Sequence, residues 1–250
     1  ISAAINGRTV VRMNHQDESR GIVMFTRKLM AAACALLVTL VSPLYADETG
    51  LSELEIEDLT FMREEEKMAR DVYMELYQYY KERGTELFIL ANIAVSEQRH
   101  MDAMLNLLDK YQLSDPAAGL ERGEFDNDVL SALYENLVSD SDANRPILDE
   151  PMSGGKLSPE AALQVGAWIE ERDMIDILHA IENTSRADIV RVYTKHLCGS
   201  REHLRAFVKH LGADDYQPQL LYATSSGSSD ISPLETIEYW LGEESDQMCM

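Results

Sequence analysis

Positive charge is scarce in this chain. Lys and Arg number 22 against 44 Asp and Glu, a formal net charge of −22 over 250 residues. A surface that binds nucleic acid needs clustered Lys and Arg to meet phosphate, so partners of that class are excluded. Cysteine is also rare. Three cysteines do not make a disulfide framework, although Cys198 and Cys249 can pair in an oxidising compartment. Zinc-finger spacings, Gly-rich phosphate loops and nucleophile elbows do not occur. Strand-like alternation is missing too, which argues against an α/β fold.

Long apolar runs are few. The one that stands out, Leu29 to Val41, spans about 13 residues and is short for a membrane span. Arg27 and Lys28 precede it, and Ala46 stands before an acidic start at Asp47. That pattern is a cleavable secretory signal over residues 24–46. Residues 1–23 lie ahead of Met24 and are expected to be upstream sequence outside the native fold. The expectation is an exported protein, secreted or periplasmic in a bacterium, with no membrane attachment once the signal is removed. Its acidic balance suits solubility or the attraction of cations.

What is present in abundance is helical periodicity, from Ser52 to Leu113 and again from Ser158 to Leu211. Leu59, Met62, Glu66, Ala69, Tyr73 and Leu76 recur at 3, 4, 3, 4, 3 spacing, one face of a helix that starts near Ile56. Gly84 interrupts it. A second helix over about Glu86 to Tyr111 carries Ile89, Ile93, Glu97, His100, Met104 and Leu107 on one stripe. A short helix is predicted from about Asn127 to Val138, followed by a loop rich in Ser, Asp, Pro and Gly. Ser158 caps a third long helix with Pro159 in its first turn, and Leu163, Gly166, Glu170, Asp173 and Ile177 share a face. The fourth runs from about Arg186 to Leu211, with Gly212 beyond it. Four long helices of this kind can bury a common core as an antiparallel bundle with a long crossover between the second and third. The predicted domain spans 51–216, and residues 217–250 form a Ser- and Gly-rich tail, partly flexible.

The chemistry lies in a repeat. Glu66 is 34 residues before His100, and Glu170 is 33 before His203, so the two helix pairs share one register. Glu97 and His100, at i and i+3, project from one helical face. Di-metal carboxylate bundles take a lone Glu from each of two helices and a Glu-x-x-His pair from each of the other two. Glu66 and Glu170 fit the lone glutamates, Glu97 with His100 makes one full pair, and His203 is half of the second. Ser200 stands where the other Glu is needed, and a hydroxyl is a poor ligand for a hard dication. Glu202 or Asp173 substitutes for it, or the second metal position is weak or empty. Glu65 and Glu171 are each one residue from their rivals, and Glu66 sits in "REEEK", where surface glutamates are ordinary. His179, His196 and His210 are expected at the surface or at helix ends.

"LTFMREEEKMARDVY", "NIAVSEQRHMDAM", "GAWIEERDMIDIL" and "GSREHLRAF", in that order, closely resemble domain of unknown function 2202, a family of the ferritin-like superfamily. The resemblance covers roughly Leu51 to Tyr216 and implies an all-α, ferritin-like four-helix bundle. Glu66, Ala69 and Tyr73 are similar to the first metal-helix signature of rubrerythrin-like proteins, which favours Glu66 over Glu65. No rubredoxin-like Cys-x-x-Cys pair is present. The expectation is therefore a protein that binds iron, or manganese in its place, through Glu66, Glu97, His100, Glu170 and His203, with oxidase or ferroxidase-type chemistry. The rival is a non-catalytic periplasmic binding or assembly protein on a decayed site. Metal ions are the expected partners, and a homodimer is left open.

Overall fold

The computed structural model describes residues 50–140 and 154–212, together with Asp246 and Cys249. The expected signal peptide, the segment ahead of it and most of the tail lie outside the described residues. The described residues hold five helices and no strand. They are α1 (Glu53–Lys81), α2 (Phe88–Lys110), α3 (Asp128–Leu137), α4 (Pro159–Glu182) and α5 (Ala187–Leu211).

Local chemistry sets the ends. Ser52 and Glu55 form a reciprocal capping box that starts α1 three residues before Ile56. The Asn127 side chain accepts from the Val129 and Leu130 amides to open α3. Ser158 accepts from the Ala161 amide, with Pro159 at the first helical position of α4. Gly84, at φ +81°, takes the left-handed conformation of the turn that follows α1.

Short connections make α1 with α2, and α4 with α5, antiparallel pairs. Contacts at the ends fix how the pairs face each other. Thr184 and Asn183, just past α4, donate to Glu55 and Asp58 at the start of α1. At the other end the Tyr80 hydroxyl donates to the Gly155 carbonyl, just before α4. Lys110 at the end of α2 meets Asp188 at the start of α5 at 2.5 Å. The four long helices therefore form a ring in which every neighbour is antiparallel. Residues 111–140 lead away from the end of α2 with α3 packed on α1, and residues 154–158 lie at the far end of the bundle, before α4.

The apolar stripes read from the sequence point inward: Leu59, Met62, Ala69, Tyr73, Leu76, Met104 and Leu107 are all buried. Tyr73 and Phe207 meet with ring centroids 5.6 Å apart. Gly166 is there because nothing larger fits: a Cβ on it would stand 2.3 Å from the Phe207 ring. Truncating Phe207 would cost about 3–5 kcal/mol by the usual cavity penalty.

"REEEK" is not a surface run. The crossover lies over it and meets three of its charges. Arg63 donates to both oxygens of Asp115 at 3.0 and 2.9 Å. Glu64 accepts from the Asp126 and Asn127 amides. Lys67, 1% exposed, donates to Asp71 and to the carbonyls of Glu121 and Glu124. Every face of this turn of α1 is therefore covered, and Glu66 is left pointing into the bundle.

Candidate metal centre

Six side chains from the four long helices converge midway along the bundle. They fall into two groups, Glu66 with His100 and His196, and Glu97 with Glu170 and His203, in which each potential ligand atom lies within 4.8 Å of the others in its group. All five residues expected from the sequence are among the six. Glu66 and Glu170, rather than their neighbours Glu65 and Glu171, occupy the clusters.

The carboxylates straddle the imidazoles. Glu66 Oε2 is 3.2 Å from His100 Nδ1, and its Oε1 is 3.1 Å from His196 Nδ1. Glu97 Oε2 is 2.9 Å from His100 Nδ1, and its Oε1 is 2.7 Å from His203 Nδ1. Glu170 Oε2 lies 3.4 Å from His203 Nδ1, while its Oε1 accepts from the Tyr73 hydroxyl at 2.6 Å. The three glutamates are 1% exposed. The imidazole rings stack, with 4.5 Å between the His100 and His196 centroids and 5.7 Å between those of His100 and His203.

His196 corrects the sequence reading, which put it at the surface or a helix end. It is 2% exposed and belongs to the first cluster. His196 precedes Ser200 by four residues and His203 by seven, so all three stack along one stripe of α5. That spacing was the available signal. A search confined to Glu-x-x-His pairs passes over a histidine one and two turns away. His179 and His210 are exposed, as expected.

Ser200 is not a ligand. It is fully buried, its hydroxyl donates to Asp173 Oδ2, and it lies 3.0 Å from the His196 carbonyl. Asp173 therefore stands behind the clusters, held by Ser200, and is not one of the six. Glu202 is exposed and pairs with Arg201 and Arg205, so it does not replace the missing glutamate. What fills that place is imidazole, from His196.

Gly199 makes room for this. A Cβ there would lie 2.6 Å from His100 Nε2. One residue away, Cys198 forms a disulfide with Cys249. The bond, with ion pairs from Asp246 to Arg201 and Arg205, ties Cys249 and Asp246 to α5.

The electrostatics follow from crowding carboxylates in a dry place. Burial, followed by the repulsion of Glu97, pushes Glu170 up to about 7 despite the opposing pull of His203. Burial works against a charged His203, but Glu170 and Glu97 overcome it and raise the ring to about 10. Burial also opposes charge on His100, and Glu66 with Glu97 reverses it in the same way. Glu66, which burial alone would raise, sits below the ordinary carboxylate range because His100 and His196 flank it. Burial and the charges of Glu66 and Glu170 hold Asp173 well above that range.

Several atoms in the clusters make short approaches that are not hydrogen bonds. Glu66 Oε1, Glu97 Oε1, His196 Nδ1 and His203 Nδ1 are buried, close in pairs, and out of line to bond to each other. Buried polar atoms normally find partners, and leaving one without costs about 1–3 kcal/mol. Lone pairs that converge on a shared space instead of on one another are arranged as ligands are. Carboxylate oxygen and imidazole nitrogen, without thiolate, suit a divalent cation of the iron or manganese kind.

A helical bundle with two carboxylate–imidazole clusters able to hold metal is thus the class that fold and site define. The chain belongs to the family described as an uncharacterized protein domain, DUF2202, whose pattern matches residues 55–229. It is similar to the uncharacterized protein MJ0754 of Methanocaldococcus jannaschii, with 42% identity over 173 residues, covering 68% of this chain and 83% of that protein. It is likewise similar to the crystal structure of hypothetical protein MJ0754 from Methanococcus jannaschii. There the TM-score is 0.62 at 39% identity, covering 76% of this chain and 93% of that one.

Proposed function

We propose that this protein is an exported ferritin-like bundle that binds two adjacent divalent cations, iron or manganese, and supports oxidase or ferroxidase-type chemistry. The observation that carries the reading is the set of buried, unpartnered ligand atoms in both clusters. The helix order supports it as well. Lone glutamates come from α1 and α4, and the histidine-bearing stripes from α2 and α5.

The clusters differ in their donors. Glu66, His100 and His196 offer two imidazoles and one carboxylate, a set that suits non-haem Fe(II). Glu97, Glu170 and His203 offer the reverse ratio. Three protein ligands leave coordination positions open, and a redox metal there would supply electron transfer to oxygen or peroxide. The chain's own part is to hold the ligands. Tyr73 orients Glu170, Ser200 orients Asp173, and the buried setting excludes bulk water. Export is supported by the basic-then-apolar segment at Arg27 to Val41 and by the Cys198–Cys249 bond, which persists in oxidising compartments.

Metal analysis of protein isolated from its native compartment tests the reading. The expected result is iron or manganese near one ion per cluster. His196→Ala should remove about half of it, because the first cluster loses a ligand and the second keeps all three. Metal-free protein that takes up neither Fe(II) nor Mn(II) would overturn the proposal.

A further inference from the structure

A line of carboxylates runs between the clusters and the surface, and none of its members is needed as a ligand. At its outer end an open pocket of about 730 Å³ lies between α1, the crossover and α4. Asp58, Glu64, Asp126 and Asp176 give it a negative lining, with Phe61 and Met62 as its apolar part. Arg172 Nε donates to Asp176 Oδ2 at 2.5 Å, which fixes the side chain and occupies one oxygen.

Behind Asp176 stands Glu65, 3% exposed and within hydrogen-bonding reach of it. Glu65 Oε2 is buried and has no partner. Asp173 comes next, one turn from Asp176 on the same face of α4. It is 5% exposed, and its Oδ1 is likewise buried without a partner while Ser200 holds Oδ2. Asp173 in turn lies close enough to Glu66 and Glu170 to feel both charges.

Glu65 meets two aspartates from another helix, and Arg172, bonded to Asp176, is the cation beside them. Burying carboxylates together is costly unless they hold a proton or meet a cation, and a cation can displace the proton. We infer that Asp176, Glu65 and Asp173 form the path by which a divalent cation passes from the acidic pocket to the metal clusters. The inference rests on the metal reading above. Negative walls in a low-dielectric cleft concentrate cations at the mouth. Glu65 and Asp173 each keep one buried oxygen without a partner, so each can take a cation and release it, as conduction requires. A full ligand set along the way would trap it.

The test is the rate at which the full, metal-free chain takes up Co(II), followed by stopped-flow absorption of the cobalt bands. Glu65→Gln and Asp176→Asn keep side-chain volume and remove one cation-binding carboxyl group each. Each should slow loading by about tenfold or more, the scale of electrostatic steering, while leaving the final cobalt content unchanged. Loading of the wild type should slow with added salt more steeply than loading of the variants. Glu82→Gln, at an exposed position away from the path, should load as the wild type does. Equal rates in wild type and both variants would overturn the path and send the cation past the partly exposed edge of His100 and His203 instead. A lower final content in Glu65→Gln would make Glu65 a ligand or a prop, which also overturns it. Asp176→Asn, farther from the clusters, carries the test if Glu65→Gln does not fold. A wild type that binds no Co(II) would overturn the path together with the metal reading. Normal final loading with unchanged rates overturns the path alone.

Discussion

Glu97→Gln is the substitution that the geometry marks as most damaging to metal binding. Glu97 touches both His100 and His203, so it connects the two clusters through its two oxygens. Glutamine preserves the volume, removes the charge and turns one oxygen into a donor. A cation at about 100 times its dissociation constant stabilises the folded state by about 2.7 kcal/mol. In a domain of about 150–250 residues that corresponds to a rise in melting temperature of roughly 5–10 °C. Losing an outer partner of a metal ligand already costs about 10–100-fold in affinity, so losing a ligand belongs at the upper end. A hundredfold loss leaves about 0.4 kcal/mol of stabilisation, or about 1 °C, at the same metal concentration. The assay is thermal unfolding of metal-free protein with Mn(II), or with Fe(II) under anaerobic conditions. The comparison is between the metal-induced shifts, since the variant changes the metal-free midpoint as well. Equal shifts in wild type and Glu97→Gln would refute the reasoning, because a cation held elsewhere would not depend on this carboxylate.

Gly199→Ala should displace the His100 ring, because the added methyl would stand 2.6 Å from Nε2, and titration should show weaker metal binding with the helix content in circular dichroism unchanged. Metal-free protein should lose stability as pH rises from about 5 to about 9. Glu170 binds its proton more tightly when folded, at about 7 against an ordinary 4.5, so its contribution is full below 4.5 and gone above about 7. His203, raised from 6.5 to about 10, acts in the same direction over the higher part of that range. Cations need these groups deprotonated, so the metal-induced rise in melting temperature should grow with pH across the same interval, and a flat profile would contradict the assignment. Replacing Cys198 and Cys249 by Ala should lower stability by about 2–4 kcal/mol in denaturant titrations, since the bond closes a loop with a sequence separation of 51.

The sequence by itself determined the helices, because the apolar period, the Ser52 and Ser158 caps and the Gly84 stop act within a few residues of one another. It also determined five of the six cluster residues, since the repeat of Glu66 and His100 in Glu170 and His203 fixes which faces meet when two similar hairpins pack. Only the tertiary structure decided the rest. Whether "REEEK" faces solvent depends on where residues 115–127 lie, and those residues reach α1 through a crossover that no local pattern specifies. His196 could not be told from a surface histidine on its own helix, because the partner that places it, Glu66, comes 130 residues earlier. The same holds for Glu65, which looks like one of three interchangeable glutamates until Asp173 and Asp176 arrive from α4. Short-range propensities fix where helices start and stop. Which buried charges must share a space is a property of pairs far apart in the chain, and packing alone brings them together.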